Sequence, residues 1–460
     1  MKIGFVSLGC PKNLVDTEVM MGLLVARGHE LTPRPEEAEA IVVNTCSFID
    51  PAKQESVDAI LEMAEFKRTG RAKRLVVAGC LVERYRSEIR EQVPEVDAVL
   101  GTNEVEEIAA ACEGRPTPRQ GAVPFLYHDG TPRVRATPLH YAYVKIAEGC
   151  DHPCTFCVIP QFRGGFRSRR PESVAAEVSA LFAQGVREIN LVGQDTTSYG
   201  EDLRIKDGLS ALLARLASSP GAHGNWIRFL YAYPNRVTGK LLETMAEHST
   251  LVKYIDLPLQ HSSASVLKRM KRGSSGEAFL RLVERARRII PGVAIRTSLI
   301  VGFPGETEAD FKELCQFVEA ARFEHLGVFS YSDEETSRSY GLEGKVDRRT
   351  VYHRRRRLMS IQRRISRAHN RRAIGREMEV LVEGPSRETD LLWEARTARQ
   401  APEIDGVCLV NDCEGQSPQP GQIRRFRVTE AHDYDLVGTI LEDGAGPASN
   451  PFPILARQRP

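Results

Sequence analysis

Short apolar runs alternate with helical patterns through residues 1–112 of the chain. The apolar runs are rich in β-branched residues, which favour strands. This alternation predicts an open parallel α/β sheet as the first domain. The predicted strands are Ile3 to Leu8, Ala40 to Val43 and Arg74 to Ala78, and the predicted helices are Leu14 to Arg27 and Pro51 to Phe66.

The alternation resumes after a segment that is rich in proline and glycine. Residues 113–138 are therefore predicted to be a linker. Residues 139–350 predict a partial TIM-like barrel of six strand–helix units, with the active site at the carboxyl ends of the strands. The predicted barrel strands are Tyr141 to Ile146, Glu188 to Val192, Ile227 to Ala232, Tyr254 to Leu257, Ala294 to Ile300 and Leu326 to Tyr331.

Three further segments follow the predicted barrel. Residues 351–374 carry many arginines and predict a basic connecting helix, which either lies in solvent or contacts RNA or an acidic surface. Alternating strands within residues 375–441 predict a small antiparallel β-barrel. Residues 442–460, which are rich in proline and glycine, are predicted to be a disordered tail.

Composition narrows the class of protein. The formal net charge of +2 gives no overall field that would attract nucleic acid or a membrane. Ten cysteines in a chain of 460 residues without a secretory leader indicate a reducing compartment, and hence the cytoplasm, with the thiols as ligands or core residues. No apolar stretch reaches the roughly 18 residues of a membrane span, so no membrane partner is expected.

Cys150, Cys154 and Cys157 form a C-x-x-x-C-x-x-C motif just after the first predicted barrel strand. Thiolates are the ligands of iron–sulfur clusters, and a four-iron cluster normally takes four of them. Three ligands leave one iron open to a substrate. The alternative is structural zinc, which needs four protein ligands and usually gathers them as two C-x-x-C pairs. No second pair follows, and His152 is poorly placed to complete a tetrahedron, so the spacing favours a cluster.

A second set of three cysteines follows the three strands predicted in residues 1–112. Cys10, Cys46 and Cys80 come directly after these strands. Because the carboxyl ends of parallel strands meet at one edge of a sheet, the three thiols are expected to converge there. The set predicts a second cluster with a vacant iron, and the alternative is three unrelated buried cysteines.

The C-x-x-x-C-x-x-C motif, with Phe156 before its last cysteine, resembles that of the radical S-adenosylmethionine enzymes. The resemblance implies that the free iron binds the amino and carboxylate groups of S-adenosylmethionine, whose reductive cleavage yields a 5'-deoxyadenosyl radical. It also implies cofactor contacts at barrel strand ends. His261, after the fourth barrel strand, either orients the substrate or is a structural histidine. The candidate cofactor contacts are Gln194 and Asp195, where many family members have Gly-Gly-Glu, and Ser298, Gly302, Gly305 and Glu306 in a turn that resembles the family's adenosine-contacting turn.

Two sets of three cysteines followed by a TRAM-like barrel resemble the methylthiotransferases over nearly the whole chain. The resemblance implies that Cys10, Cys46 and Cys80 hold an auxiliary 4Fe-4S cluster, and that Cys150, Cys154 and Cys157 hold the radical-generating one. It implies that one S-adenosylmethionine methylates a sulfur on the auxiliary cluster and that a second provides the radical. A sulfur donor and a reductant are also required, and the sequence leaves their identities open.

The runs from Ser7 to Asp16, from Asp256 to His261 and from Ala401 to Gly406 resemble the protein-modifying branch of the family. This resemblance implies that the substrate is an aspartate on ribosomal protein S-twelve, which would be methylthiolated at its β-carbon. Residues 375–440 contain seven Arg and Lys against thirteen Asp and Glu, a net charge of −6, which suits a basic protein better than a phosphate backbone. Nucleic acid is therefore not the expected substrate. The alternatives are a transfer-RNA adenosine methylthiotransferase and a non-enzymatic metal-cluster adaptor.

Overall fold

The computed structural model describes residues 1–117, 125–386, 389 and 391–442. By its internal contacts the chain divides into two compact units, the first from Met1 to His369 and the second beginning at Asn370. Apart from Glu442, the segment predicted to be a disordered tail lies outside the described residues, as do residues 118–124 of the predicted linker. None of the described helices is long and apolar enough to cross a lipid bilayer.

The first unit opens with a five-stranded parallel sheet in the order β2-β1-β3-β4-β5. The three predicted strands are confirmed, whereas the two short edge strands, β2 and β5, were not predicted. Its strands are β1 (Lys2–Ser7), β2 (Glu30–Thr32), β3 (Ala40–Thr45), β4 (Arg74–Gly79) and β5 (Ala98–Leu100), and its helices are α1 (Pro11–Ala26), α2 (Asp50–Thr69), α3 (Cys80–Gln92) and α4 (Ile108–Glu113).

The partial barrel follows, and all six predicted strands are present. They form two parallel sheets, β10-β9-β6 and β11-β12-β13, which adjoin where the Ile227 amide donates to the Thr250 carbonyl over 2.9 Å. The strands are β6 (Tyr141–Lys145), β9 (Glu188–Val192), β10 (Trp226–Phe229), β11 (Tyr254–Gln260), β12 (Ala294–Val301) and β13 (His325–Ser330), with a short antiparallel pair, β7 (Ala147–Glu148) and β8 (Arg167–Ser168). The helices are α5 (Ile159–Arg163), α6 (Pro171–Ala183), α7 (Gly208–Ala217), α8 (Gly239–Glu247), α9 (Ala264–Arg269), α10 (Gly276–Ile289) and α11 (Glu308–Ala321).

Buried ion pairs join the N-terminal sheet domain to the barrel. Arg133, in the described part of the predicted linker, contacts Glu18 of α1 and Glu177 of α6, each over 2.5 Å. Glu334, which follows β13, accepts from Lys53 of α2 over 2.9 Å and from Arg84 of α3 over 2.5 Å. Because breaking such a buried pair leaves an uncompensated charge, these contacts hold the two domains in one arrangement.

The predicted basic helix is present as α12 (Arg348–Arg371). One face packs on the barrel, where Leu358, Ile361 and Ile365 join the main hydrophobic core. Apolar residues at intervals of three and four thus form a buried stripe on α12, while most of its arginines are exposed.

The second unit contains a closed five-stranded barrel in the order β14-β15-β16-β18-β17. The prediction of a small barrel is confirmed, but the prediction that it is antiparallel is wrong for one pair, because β16 and β18 run parallel. Val380, Val382, Cys408 and Phe426 belong to its core. The strands are β14 (Glu377–Pro385), β15 (Trp393–Thr397), β16 (Cys408–Cys413), β17 (Ile423–Ala431) and β18 (Leu436–Ile440).

Candidate active site

The three N-terminal cysteines lie together at the carboxyl edge of the parallel sheet. Cys10 and Cys46 follow β1 and β3, and Cys80 follows β4 as the first residue of α3. These strands are neighbours, with β3 in the middle. At Gly9, which has a φ of +89°, a Cβ atom would lie only 2.8 Å from the Cβ of Cys46. The structure therefore brings the three predicted residues together, and we call them the auxiliary trio.

Buried amide groups hold this sheet edge in register. The Asn13 side chain donates to the carbonyl of Leu8 over 2.7 Å and to that of Thr45 over 3.3 Å. Asn44 donates to the Asn13 carbonyl over 2.9 Å, and the Thr45 hydroxyl donates to the Ala78 carbonyl over 2.6 Å. Since these bonds tie all three strand ends to each other and to α1, they fix the directions from which the cysteines leave the sheet.

Two cations lie beside the auxiliary trio. Arg163 Nη2 is 3.5 Å from Cys80 Sγ. Burial raises the pKa of the Cys80 thiol to about 11, against the opposing effect of Arg163. At Cys10 burial also acts to raise the pKa, but the charges of Lys12 and Arg163 outweigh it and lower the pKa. The thiolate is the form that binds metals, so this positive surrounding favours ligation at Cys10.

Arg163 also belongs to a buried charge network between the sheet domain and the barrel. Its Nη1 contacts Asp16 over 2.5 Å and Glu148 over 3.3 Å, and Lys145 pairs with both carboxylates. Burial opposes the charge on Glu148, but Lys145 and Arg163 hold its pKa at about 2. Gln194 donates to the same carboxylate over 2.5 Å. The network thus connects the auxiliary trio to the ends of the first two barrel strands.

Cys150, Cys154 and Cys157, which we call the radical trio, lie on one loop after β7. Gly149, with a φ of +81°, precedes the loop, and a Cβ atom there would overlap the Gly165 carbonyl oxygen. The loop is held by the Thr155 amide, which donates to the Met270 carbonyl over 3.2 Å. Arg272 Nη1 lies 3.6 Å from Cys154 Sγ. Burial raises the pKa of Cys150 to about 11 and that of Cys157 to about 12.

Two tyrosines that follow the third barrel strand contact residues that lie next to the two cysteine trios. Tyr231, with a φ of +63°, places its ring 3.3 Å from the Lys12 ammonium group. Two residues later, the Tyr233 ring stacks on His152 at 3.8 Å and lies 4.2 Å from the Arg272 guanidinium group. The segment from Tyr231 to Tyr233 therefore links the residue beside Cys10 to the residue beside Cys154.

Asp195, a predicted cofactor contact, is buried and has several partners in the structure. Its carboxylate contacts His152 Nε2 over 2.6 Å and accepts from the Ser198 hydroxyl over 2.5 Å and the Thr197 amide over 2.8 Å. Burial acts to raise its pKa, but the hydrogen bonds from His152, Ser198 and Thr197 lower it. Asp195 thus anchors the His152 side chain within the loop of the radical trio.

The turn predicted to contact adenosine contains Gly302, Gly305 and Glu306. The Glu306 carboxylate accepts from the amides of Gly302 and Phe303 over 2.5 and 3.1 Å and from Arg354 over 3.0 Å. A Cβ atom at Gly302 would collide with Val351 of α12, and the Gly305 amide donates to the Gly344 carbonyl over 2.7 Å. These contacts lock the turn to α12, and its cofactor role stays a prediction.

The two remaining candidates, Ser298 and His261, differ in their surroundings. Ser298 lies on β12, where its hydroxyl accepts from Arg296 over 3.3 Å. His261 is fully buried, and its Nδ1 accepts from the Ser263 amide over 3.0 Å. Burial lowers the His261 pKa to about 3. His261 is thus held through Nδ1 by a backbone amide two residues away, while its buried Nε2 has no hydrogen-bond partner among the described residues.

The described residues contain no group of three or more His, Cys, Asp or Glu side chains close enough to hold a single metal ion. Ligands of a four-iron cluster bind different iron atoms, so their sulfurs need not converge on one point. All six cysteines of the two trios are free thiols.

The residues of the site that were not predicted as functional include Lys12, Arg163, Tyr231 and Arg272. The sequence does contain one signal that could have strengthened the analysis. A glycine with positive φ directly precedes Cys10, Cys80 and Cys150, at Gly9, Gly79 and Gly149. Glycine is the residue that tolerates such a turn without steric cost, so each Gly-Cys pair marks a place where the chain bends sharply.

Three family models match successive parts of the chain. Residues 2–101 match the family described as Uncharacterized protein family UPF0004, residues 144–318 the Radical SAM superfamily, and residues 374–441 the TRAM domain. A radical S-adenosylmethionine methyltransferase, TsrM from Kitasatospora setae, shares the fold with a TM-score of 0.53 at 16% identity, over 72% of this chain and 74% of that one. The barrel, the radical trio's loop and these matches define a radical S-adenosylmethionine enzyme.

Full-length relatives define the family more narrowly. The chain is 69% identical to "Ribosomal protein uS12 methylthiotransferase RimO" of Solibacter usitatus, over 99% of this chain and 97% of the relative. It is 55% identical to the protein of the same name from Koribacter versatilis, over 96% of each, and 47% identical to that from Geobacter sulfurreducens, over 96% and 98%. The chain belongs to the RimO family of ribosomal protein uS12 methylthiotransferases. The alternative of a non-enzymatic adaptor is therefore wrong.

Proposed function

We propose that this chain replaces a hydrogen on the β-carbon of an aspartate of ribosomal protein uS12 with a methylthio group, using S-adenosylmethionine and two 4Fe-4S clusters. The observation that carries the proposal is the presence of two separate cysteine trios in one compact unit. The auxiliary trio would hold one cluster and the radical trio the other. Each trio leaves one iron without a protein thiolate.

The donor sets suit such clusters. Each trio consists of thiols that influence one another's pKa, and each has an arginine near one sulfur, Arg163 at Cys80 and Arg272 at Cys154. A cluster held by thiolates carries negative charge, and hydrogen bonds to its sulfurs influence its reduction potential. The two arginines would therefore both stabilise the bound clusters and tune them.

Bound clusters would supply the reductive cleavage of S-adenosylmethionine and a transferable sulfur. The chain's own residues orient these groups and limit the access of water. A saturated C–H bond is far too weak an acid to be deprotonated by a side-chain base such as His152 or Asp195. The side chains of the site therefore position the reactants.

Gln194 and Ser298 are the proposed polar contacts to S-adenosylmethionine. Gln194 Oε1 is buried and has no hydrogen-bond partner among the described residues, so it can accept from an ammonium group. Ser298 presents a hydroxyl on β12. The proposed role of the other four candidates, Asp195, Gly302, Gly305 and Glu306, is to shape the strand ends around the cofactor. The carboxylates of Asp195 and Glu306 already bind groups of the protein, and Gly302 and Gly305 form the backbone of the turn.

The protein substrate agrees with the charge of the C-terminal barrel. With a net charge of −6 over residues 375–440, this barrel would attract a basic ribosomal protein and repel a phosphate backbone. A ribosomal target and reduced thiols also suit the cytoplasm. A sulfur donor and a reductant complete the set of proposed partners, and neither is identified by the chain.

The test compares two substrates with one enzyme preparation. Anaerobically reconstituted protein would be incubated with S-adenosylmethionine, a reductant, and either uS12 or transfer RNA, and the products analysed by mass spectrometry. We expect a methylthio group on an aspartate of uS12, and none when that aspartate is asparagine. The matched control lacks the radical trio through Cys150→Ser, Cys154→Ser and Cys157→Ser. Modification of transfer RNA alone would contradict the proposal.

A further inference from the structure

The outer face of α12 is a dense cationic surface. Eight arginines between Arg348 and Arg367 are exposed, and this helix contains no Asp or Glu. We call this set the arginine face. Its members are Arg348, Arg349, Arg355, Arg356, Arg357, Arg363, Arg364 and Arg367.

The arginine face is separate from the residues that α12 uses for packing. Arg354, on the opposite side, is buried against Glu306, and Leu358, Ile361 and Ile365 enter the core. At 100° per residue, Arg349, Arg356 and Arg363 recur every seven residues and therefore lie along one line of the helix. Most of the exposed charges therefore lie on the side of α12 that faces away from the core.

The printed contacts of three members, Arg355, Arg356 and Arg364, leave their guanidinium groups charged and exposed. Arg364 lies 3.6 Å from Glu319 of α11, and both side chains are well exposed, so this pair contributes little to stability. Arg356 contacts the Tyr352 hydroxyl at 3.4 Å, and Arg355 donates to the Val328 carbonyl over 3.2 Å. Neither of these two contacts neutralises the guanidinium charge.

We propose that the arginine face docks on ribosomal RNA next to uS12 and so recruits the enzyme to the assembled small subunit. The inference rests on the proposed function, because that function makes a ribosomal protein the substrate. A 24-residue helix is about 36 Å long. Such a row of guanidinium groups matches a phosphate backbone, to which arginine binds with bidentate geometry. RNA would be a docking surface here, and the protein would remain the substrate.

The two oppositely charged surfaces would then recognise different parts of the small subunit. The arginine face would provide affinity for RNA, and the acidic C-terminal barrel would favour the basic protein. Phosphate contacts position a protein without reading sequence. The arginine face would therefore increase the rate of productive encounter with small subunits without affecting the chemistry at the cysteine trios.

The test uses a variant that removes four charges, Arg348→Gln, Arg349→Gln, Arg356→Gln and Arg357→Gln. The matched control removes four exposed arginines from other elements, Arg27→Gln, Arg71→Gln, Arg90→Gln and Arg288→Gln. Each protein is assayed on isolated uS12 and on intact small subunits, and its binding to protein-free small-subunit RNA is measured between 50 and 200 mM salt. Circular dichroism and iron content confirm that each variant is folded and loaded.

We expect the arginine-face variant to lose tenfold or more in kcat/KM on intact subunits and to stay within twofold of wild type on isolated uS12. The slope of log Kd against log salt for RNA should fall by roughly 3, as for four lost phosphate contacts. Equal behaviour of the two variants would overturn the inference. Weaker activity on subunits with unchanged RNA binding would overturn it in favour of an acidic protein partner. If wild type modifies neither substrate, the proposed function fails, and the RNA titration still decides the inference.

Discussion

The two cysteine trios are built in opposite ways. Cys150, Cys154 and Cys157 come from eight consecutive residues on one loop, whereas Cys10, Cys46 and Cys80 come from three strands spread over 71 residues. The three cysteines of the radical trio are placed relative to one another by one short segment of backbone. The auxiliary trio depends on the register of a sheet and on the packing of that sheet against the barrel. The comparison teaches that substitutions far along the chain should affect the auxiliary trio more than the radical trio.

The largest expected effect comes from Arg163→Met. The side chain is 3% exposed and balances Asp16 and Glu148, so its loss leaves two buried carboxylates with Lys145 as their described cationic partner. We expect the free energy of unfolding to fall by about 3–5 kcal/mol. Denaturant titration of the apoprotein measures this change, and iron analysis should show preferential loss at the auxiliary trio.

Arg167→Met is the control for this prediction, because Arg167 Nη1 donates to the carbonyls of Arg163 and Gly165. Its effect on unfolding should be clearly smaller. Equal losses for the two variants would show that the charge network does not hold the auxiliary side of the site.

Arg272→Met is the corresponding change at the radical trio, with a smaller expected effect. Arg272 contacts Cys154 Sγ at 3.6 Å and the Pro258 carbonyl at 2.6 Å. Unlike the contacts of Arg163, neither of these two contacts balances the charge of a buried carboxylate. Loss of a charged hydrogen bond costs about 1.5–3 kcal/mol. Electron paramagnetic resonance should show a changed signal from one reduced cluster only. A change in both signals would mean that the two trios are not independent.

Gly9→Ala should have the smallest effect on stability and a selective effect on the auxiliary trio. The alanine would meet both a φ of +89° and the Cβ of Cys46 at 2.8 Å. A left-handed non-glycine residue costs about 1–2 kcal/mol. Iron bound at the auxiliary trio should decrease, while cleavage of S-adenosylmethionine continues.

Gly28→Ala serves as the control for Gly9→Ala, because Gly28 has a φ of +83° and no atom lies within 4 Å of the added Cβ. It carries the backbone strain without the contact to a cysteine. If both alanine variants retain equal iron, the close approach of Gly9 to Cys46 has no role in cluster binding.

The sequence predicted elements with strong local patterns and missed features set by tertiary packing. All six barrel strands and α12 have apolar or periodic runs in the sequence, and all seven elements were predicted. The edge strands β2 and β5 have only three residues each, too few for a recognisable period. The parallel pairing of β16 and β18 depends on barrel closure, which alternation along a strand does not report.

The site shows the same limit. Cysteine spacing and strand ends predicted both trios, because the ligand type and the sheet topology are visible in the sequence. Arg272 is 118 residues from Cys154, and Arg163 is 83 residues from Cys80, so nothing local marks them as neighbours. Glu306 lies in a turn whose sequence resembles a cofactor-binding turn. The sequence does not show that its carboxylate accepts from an amide of the same turn and binds Arg354.

Iron and sulfide analysis of two triple variants tests the central claim most directly. One variant combines Cys10→Ser, Cys46→Ser and Cys80→Ser, and the other combines Cys150→Ser, Cys154→Ser and Cys157→Ser. Wild type should bind about eight irons and each variant about four, since each trio holds one four-iron cluster. The first variant should still cleave S-adenosylmethionine without transferring sulfur. A wild-type content of about four irons, or an unchanged content in the first variant, would contradict the account.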